Sequence, residues 1–290
     1  MVHVGKERRL YRLAPDTPPV CRVPSGALLV VETQDAMDGQ IPAQASCVAE
    51  ADSTRANPMT GPIAVEGAQP GGFVAVQILD IALEDQGWMS RSPSGLVNTV
   101  NDHLATFVPG VELPIAPMIG VLGVTPSEGE VSGKDAGLWG GNLDIKEIGP
   151  GATVYLPVQV PGAGLVFGDV HALQADGECS GTGIEIGARI TMRIAALEQS
   201  LCEGIHFYRQ GVLSTVGAAP ELGAACRQAT ESLAAALSRA SGLDLDHSRM
   251  FLSLAADVHV GQFVCPIQTA YASLDLRRCP WPLRLPLVQP

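Results

Sequence analysis

Residues 150–156 read Pro150-Gly151-Ala152-Thr153-Val154-Tyr155-Leu156, and stretches of this type decide the fold class. Proline fixes φ and glycine supplies positive φ, so the pair favours a turn, and the β-branched and apolar residues after it favour a strand. Similar turns precede two other apolar runs, and later runs have the same character. The sequence therefore predicts further strands at 27–31, 73–76, 165–173 and 184–194.

The helical signal lies late in the chain. Between Pro220 and Gly242, apolar residues recur at spacings of three and four, which predicts a helix carrying Leu222, Cys226, Ala229, Leu233, Leu237 and Ala240 on one face. We expect a second helix with Asp246 as N-cap, and with Met250, Phe251 and Leu254 facing inward. Strands first and helices late predict an α+β, β-rich fold: a sandwich-like antiparallel β body with a segregated α/β region containing the late helix pair.

Composition is typical of a folded chain with many turns. Hydrophobic residues make up 46% and charged residues 17%, which excludes disorder, and 32 Gly and 22 Pro interrupt the apolar runs. No linker divides the chain, so we expect one unit over 1–290, with two intimate subdomains as an alternative. The polar, glycine-rich stretch 126–141 is expected to be a long loop.

Several classes of protein do not fit the sequence. The apolar runs fall short of the roughly 20 residues that a membrane span needs, and no apolar stretch of signal-peptide length follows the charged start, so we expect a cytoplasmic protein without a membrane partner. The seven Cys form no C-x-x-C pair, which argues against a disulfide framework or a zinc ribbon. A formal charge of −12 argues against nucleic acid as a partner.

The densest polar cluster is at 168–178. If this segment is extended, Asp169 and His171 point to one face and could reach one metal ion, because strand side chains alternate. Glu178, beyond the Asp176-Gly177 turn, could fold back as a general base. The alternative is an ordinary hydrogen-bonded pair at a strand end, followed by a hairpin turn.

Three other segments offer candidate side chains. Asn142 and Asp144 follow two glycines that let a ligand approach closely, although a turn satisfied by its own side chains is the alternative. Asn57 and Thr60 could present an amide and a hydroxyl to a substrate, or could cap their loop. Asp35, just past a predicted strand, could join a metal or could be a solvated loop residue.

Other catalytic schemes have less support. There is no G-x-S-x-G elbow, and Ser180 does not fit one. Cys179 lies beside Glu178 and near His171, so an activated thiol is a second possible mechanism. No G-x-G-x-x-G or Walker A pattern is present, and we expect no organic cofactor.

Ordered motifs give the chain a family resemblance. Residues 57–71, NPMTGPIAVEGAQPG, resemble the N-P-x-T-G-P and V-E-G-A-x-P-G-D motifs of the acetamidase/formamidase family. The segment GGNLD at 140–144 resembles the G-G-N-x-D segment of that family, and 168–178 and 255–264 follow in the same order. Together with Asp35, the resemblance spans nearly the whole chain.

The resemblance implies hydrolysis of short, unbranched amides such as formamide or acetamide, a β-rich fold of sandwich type with an accompanying α/β part, and a homo-oligomer. Two positions depart from the family pattern. Gly72 stands where the family usually has Asp, which indicates a variant turn, and Ala175 stands where it commonly has Gly, which could reshape the pocket.

These observations predict a mechanism. Asp35, Asp169 and His171 are expected to hold a divalent metal that activates water, zinc first, with calcium or magnesium as alternatives. Glu178 is expected to carry the proton to nitrogen, while Asp144 accepts a hydrogen bond from the substrate or supports a ligand. Asn142, Thr60 and Asn57 are expected to bind the substrate. The alternatives are hydrolysis of another C–N bond, such as a urea derivative or a larger amide, or a non-catalytic binding protein.

Overall fold

The computed structural model of the chain describes residues 1–41, 51–91, 94–283 and 285–286. In this part of the chain the helices are α1 (Leu222–Ser241) and α2 (Leu245–Ala255), with short 3-10 helices at Lys6–Arg8, Ser53–Arg55 and Leu276–Arg278. The strands are β1 (Val2–Val4), β2 (Arg9–Leu10), β3 (Cys21–Val23), β4 (Leu28–Thr33), β5 (Met59–Val65), β6 (Phe73–Arg91), β7 (Ser94–Thr99), β8 (Leu104–Val108), β9 (Val111–Pro114), β10 (Met118–Gly123), β11 (Ala136–Gly137), β12 (Gly140–Asn142), β13 (Thr153–Pro157), β14 (Leu165–His171), β15 (Glu185–Leu197), β16 (His206–Arg209), β17 (Val212–Ala219), β18 (Ala256–Val260) and β19 (Gln268–Asp275).

The strands form two connected layers with mostly antiparallel pairing. Neighbours in the first layer follow the order β1-β4-β15-β6-β13-β16-β17-β19-β18, in which only the β1–β4 pair is parallel. The second layer follows the order β5-β14-β10-β12-β11, and β2 and β3 pair with β5. In the described part of the chain, the two layers pair through His171 on β14 and Glu185 on β15.

One apolar core joins the two layers. Buried side chains of the first layer, such as Val31, Val76 and Ile190, belong to the same cluster as Val121 and Val166 of the second layer. Burial of apolar area between two sheets is the main term that favours such a body. This arrangement confirms the predicted sandwich-like antiparallel body, and the predicted strands correspond to β4, β6, β13, β14 and β15, with β6 much longer than expected.

Helix α1 confirms the periodicity argument. It ends at Gly242, which takes the left-handed conformation, φ 75°, that glycine adopts without strain. Leu233 and Leu237 pack in a second apolar cluster with Leu213 of β17 and Leu274 of β19. Within the described residues, no helix is both long and apolar enough to cross a membrane.

Helix α2 differs from the prediction in its cap and in its buried face. Asp244, not Asp246, is the N-cap, and its side chain accepts a hydrogen bond from the His247 amide. Met250 and Leu254 are 64% and 80% exposed rather than inward. The buried face consists of Ser248, Leu252 and Ala255, mostly small side chains that apolar periodicity does not single out. Phe251 is the predicted inward residue that does pack, against Trp281.

Candidate active site

The junction of the two layers gathers ionisable side chains from five places in the sequence. His171 ends β14 and is paired with Glu185 at the start of β15. Asp169 also lies on β14, which pairs with β10, and β10 pairs with β12, the strand that leads into Asp144. Glu178 lies in the turn after β14. We call Asp144, Asp169, His171, Glu178 and Glu185 the acidic cluster.

The acidic cluster is buried and its charges are unbalanced. Asp144, Asp169, His171, Glu178 and Glu185 are 1%, 3%, 1%, 7% and 3% exposed. In the described part of the chain, none of the four carboxylates forms an ion pair with Lys or Arg, and His171 is the only basic partner. Four buried carboxylates around one imidazole need protons or a cation to offset their repulsion.

A buried glutamine fixes the orientation of the imidazole. Gln174 Nε2 donates to the Asp144 carbonyl oxygen at 2.8 Å, which leaves Gln174 Oε1 as an acceptor 2.7 Å from His171 Nδ1. Nδ1 therefore carries the proton, and Nε2 faces the carboxylates, 3.0 Å from Glu185 Oε2 and 3.5 Å from Asp169 Oδ1. With Nδ1 held in this way, a metal ion can bind at Nε2 in place of a proton.

Asp169, His171 and Glu185 each have one side-chain atom held by a hydrogen bond and one without a hydrogen-bond partner. Asp169 Oδ2 accepts from Asn57 Nδ2 at 2.8 Å, and Glu185 Oε1 accepts from the Gly183 amide at 3.1 Å. Asp169 Oδ1, His171 Nε2 and Glu185 Oε2 are buried and make no hydrogen bond of acceptable geometry despite their proximity. These three atoms lie within 4.8 Å of one another, an arrangement that fits a metal ion.

The cluster contains two candidate ligand groups that share His171. They are Asp169, His171 and Glu185, and Asp144, His171 and Glu178, and the ligand atoms within each group lie within 4.8 Å of one another. Since His171 has only Nε2 available, one cation can use it at a time. The first group has the anchored ligands, and Glu178 is the most exposed of the five cluster residues.

The pKa values reflect crowding of negative charge. Burial, together with the charge of Asp144, raises the pKa of Glu178 to about 9, and burial with the charge of Asp169 raises the pKa of Asp144 to about 7. Burial also raises the pKa of Glu185 to about 8, opposed by His171. Burial alone would lower the pKa of His171, but Glu185 and Asp169 outweigh it and hold that pKa well above its ordinary value.

Backbone strain is concentrated at the same place. Among the described residues, seven non-glycine residues have positive φ, and four of them belong to the site: Asn57, Asp144, Asp169 and Glu178, with φ between 46° and 53°. Such conformations cost on the order of 1 kcal/mol or more each and persist where the surrounding structure requires them. Gly120 adds space, because a Cβ there would lie 2.5 Å from Asp144 Oδ1.

Most of the predicted site residues meet. Asp144, Asp169, His171 and Glu178 belong to the acidic cluster. Asn57 Nδ2 donates to Asn142 Oδ1 at 3.1 Å as well as to Asp169, so both predicted substrate-binding amides adjoin the cluster. Their roles stay predictions.

Two predicted residues are placed elsewhere. Asp35 accepts from Trp88 Nε1 and from the amides of Met37 and Gly39, and it belongs to neither ligand group. Donors occupy both oxygens of the Asp35 carboxylate, and two of them are backbone amides of the same turn, so the side chain stabilises that turn. The Thr60 hydroxyl donates to the Glu32 carbonyl oxygen at 2.8 Å. We therefore leave Asp35 out of the proposed ligand set and Thr60 out of the proposed substrate contacts.

Sequence reasoning missed Glu185, Gln174 and Cys265. The signal for Glu185 was a carboxylate between Ile184 and Ile186 in a predicted strand. Cys265 Sγ lies 3.6 Å from Asn142 Nδ2, while Cys179 is exposed. Burial, with the charges of Asp144, Glu178 and Asp169, raises the pKa of Cys265 to about 12, so its thiol stays protonated and is a poor nucleophile.

A cavity of about 410 Å³ is lined in part by Lys146, Arg209, His259 and Tyr271, and its lining includes none of the five cluster residues. Its charges are largely paired, for example Arg209 with Glu147 at 2.7 Å. One orphaned atom, Arg209 Nε, also belongs to a lining residue, but the acidic cluster gathers several orphaned buried atoms. We therefore place the candidate chemistry at the cluster.

Comparison with known proteins points to one family. The family model described as "Acetamidase/Formamidase family" matches residues 3–101 and 130–206. A formamidase of Methylophilus methylotrophus is 26% identical over 66% of this chain and 64% of its own length, and an acetamidase of Mycolicibacterium smegmatis is 28% identical over 63% and 64%. The match spans 64–65% of the length of the curated relatives.

A solved structure extends this similarity to the whole fold. The crystal structure of an acetamidase from Bacillus halodurans superposes with a TM-score of 0.92 and 33% identity, and the match covers 95% of this chain and 97% of that one. The same arrangement of strands and late helices therefore occurs in both proteins.

Proposed function

Since this chain belongs to the acetamidase/formamidase family, we propose that it hydrolyses a small aliphatic amide to a carboxylic acid and ammonia. The observation that carries the proposal is the acidic cluster, in which four buried carboxylates surround one oriented imidazole. Amide hydrolysis needs an activated nucleophile, stabilisation of the developing oxyanion, and a proton for the departing nitrogen. The cluster contains groups suited to each task.

We propose that Asp169, His171 and Glu185 hold a divalent metal. The support is their orphaned buried atoms and the anchoring of each by Asn57, Gln174 or Gly183. A His and two carboxylates suit zinc first, while calcium or magnesium would rely on the carboxylates. When bound, the ion would act as a Lewis acid and lower the pKa of water.

Glu178 is the proposed general base and acid. It is the most exposed member of the cluster, and no donor anchors its carboxylate among the described residues, so it can approach a substrate. With a cation bound nearby to lower its pKa, it would take a proton from the attacking water and deliver it to the amide nitrogen. Asp144 beside it would accept a hydrogen bond from the substrate NH₂. The amides of Asn142 and Asn57 would orient the substrate, because they lie at the edge of the cluster.

The test is ammonia release from formamide, acetamide, propionamide and urea by purified protein, before and after chelation, with metal content measured on the same sample. We expect turnover of a short amide that chelation removes and that a divalent metal restores. Activity that survives complete metal removal would overturn the metal assignment. Faster turnover of urea or of a larger amide would favour another C–N bond, and ligand binding without ammonia would favour a non-catalytic protein.

We also propose a homo-oligomer, as the family resemblance implies, and a location in the cytoplasm. Val258 is 50% exposed at the centre of β18, which pairs only with β19 in the described part of the chain. Antiparallel pairing of β18 with a second copy about Val258 would place Asp257 opposite His259 of that copy. Light scattering after size exclusion tests the assembly, and Val258→Lys should dissociate it.

A further inference from the structure

The connection between β18 and β19 forms a rigid loop, Gln262–Ile267. Gln262 is fully buried, at 0% exposure. Its Oε1 accepts from the amides of Val264 and Cys265 at 3.0 and 2.9 Å, and its Nε2 donates to the Ile267 carbonyl oxygen at 2.6 Å. One side chain therefore fixes the backbone across the loop, and Cys265 is held in place.

This loop is joined to both segments that carry proposed catalytic carboxylates. Thr269 Oγ1, just after the loop, donates to the Leu143 carbonyl oxygen at 2.7 Å, next to Asp144. The Gly177 amide, next to Glu178, donates to the Gly261 carbonyl oxygen at 2.9 Å. The loop is therefore positioned relative to the acidic cluster by hydrogen bonds on two sides.

Cys265 lies at the outer boundary of the cluster. Its Sγ is 3.6 Å from Asn142 Nδ2, and Asn142 Oδ1 in turn accepts from Asn57. Asn142 is 3% exposed and Asp144, whose Oδ1 is orphaned, is 1% exposed, whereas Cys265 is half-buried. A small molecule that reaches the orphaned atoms from this side passes the thiol.

The chemistry of the surrounding groups indicates which part of a substrate meets Cys265. The neighbours are amides, carboxylates and an imidazole, which match the polar carbonyl and NH₂ of an amide. Beside these groups, the un-ionised thiol of Cys265 behaves as a small hydrophobic group. The acyl substituent, a hydrogen in formamide or an alkyl group in its homologues, is the part that gains from such a contact.

We propose that Cys265 is a specificity-determining residue whose side chain limits the size of the acyl group that the site accepts. This inference rests on the proposed amide hydrolysis and extends it to substrate choice. It assigns the chain to amides with the shortest acyl groups, because the hydrogen bonds of Gln262 hold the loop that carries Cys265 in place beside the cluster.

The experiment compares kcat/KM for formamide, acetamide and propionamide in Cys265→Ala, Cys265→Ser and Cys265→Val. Loss of the sulfur atom in the alanine variant should raise the propionamide-to-formamide ratio on the order of tenfold, the discrimination of about one methylene. The bulkier valine should lower the acetamide-to-formamide ratio by a similar factor. Serine, close to cysteine in size, should change either ratio by less than about twofold, because the size of the pocket is kept.

The matched control is Cys179→Ala, an exposed cysteine in the neighbouring turn, which should leave every ratio as in the parent protein. If the parent protein hydrolyses none of the amides, the proposed function fails. If the parent is active and the alanine and valine variants keep its ratios, or serine shifts them as much as alanine does, the role of Cys265 fails. Metal content and circular dichroism identify a variant that has not folded. If the valine variant does not fold, the comparison of the serine and alanine variants decides whether Cys265 limits the acyl group.

Discussion

Two buried histidines of the β body show how the same side chain acquires opposite properties. His171 ends β14 and His206 begins β16, and they are 1% and 0% exposed. In both rings Nδ1 donates to a carbonyl oxygen, that of Gln174 at 2.7 Å and that of Gly204 at 2.8 Å. They differ at Nε2, which faces the carboxylates of Glu185 and Asp169 in one and the Ser200 hydroxyl at 2.7 Å in the other.

This difference decides the charge of each ring. Burial lowers the pKa of His206 to about 4, because the groups that face it, which include the Ser200 hydroxyl and the rings of Tyr155 and Phe73, are uncharged. The carboxylates reverse that effect at His171 and hold its pKa well above the ordinary value. Desolvation disfavours a buried cation, and only specific opposite charges overcome it. The acidic cluster is therefore built for a cation, and the His206 region for packing.

Among the variants that test this comparison, His171→Ala should have the largest effect. Loss of a metal ligand should lower kcat/KM by at least about 1,000-fold. This is more than the 10 to 100-fold typical of a residue that only hydrogen-bonds to a metal ligand. The variant should still fold, because the carboxyl groups with raised pKa values can stay protonated. Kinetics, metal analysis and thermal unfolding measure these effects. A fully metallated and active variant would contradict the ligand assignment.

The second test removes the proposed proton carrier. Glu178→Gln keeps the size of the side chain but cannot exchange a proton, so kcat should fall by about 100 to 10,000-fold. Metal content should be kept, because Glu178 lies outside the proposed ligand trio. The matched control is Glu185→Gln, which should lose both metal and activity. If Glu178→Gln also loses the metal, the division of roles between the two ligand groups is wrong.

The third test concerns the neutral histidine and the pH dependence of stability. The unfolded chain binds a proton at His206 near pH 6.5, while the folded chain does so only near pH 4. Its contribution is fully present above pH 6.5 and is lost as the pH falls toward 4, a loss of about 3 kcal/mol at roughly 1.4 kcal/mol per pH unit.

His206→Phe isolates that contribution, since it keeps an aromatic ring against Tyr155 but cannot titrate. Urea unfolding at pH 7 and pH 4.5 should show a smaller loss of unfolding free energy in the variant than in the parent protein. Equal losses in the two proteins would mean that His206 is not the group responsible. Subtracting the loss of unfolding free energy in the variant from that in the parent protein cancels the effect of carboxyl groups that titrate in both.

The sequence predicted the parts of this molecule that depend on local pattern. Turns of proline and glycine marked β4, β6 and β13, and periodicity marked α1. The sequence did not predict the buried face of α2, because Ser248 and Ala255 are small side chains that do not stand out in an apolar pattern. Local pattern records which segments are regular, but not which of their faces the tertiary contacts use.

The site was predictable only in part, for the same reason. Asp169 and His171 lie on one strand, and Glu178 follows a short turn, so their proximity follows from short separations. Glu185 joins them through the pairing of β14 with β15, which spacing does not reveal. Asp35 resembled a ligand because it follows a strand, but its oxygens serve Trp88 and two backbone amides.

The smallest expected effect comes from Gln174, which orients His171 without belonging to either ligand group. Gln174→Met keeps a similar length and volume but removes the acceptor for His171 Nδ1 and the donor for the Asp144 carbonyl oxygen. Without its acceptor, the imidazole loses the preference for the tautomer with a free Nε2, so metal affinity should fall by about 10 to 100-fold. A chelator competition titration measures this affinity, and the lost activity should return at high metal concentration.

A residue that only supports the fold would instead lower the melting temperature and leave the metal affinity of the folded protein unchanged. A lower melting temperature with unchanged affinity would therefore mean that the carboxylates alone set the orientation of His171, and that the two histidines differ in how their rings are held as well as in charge.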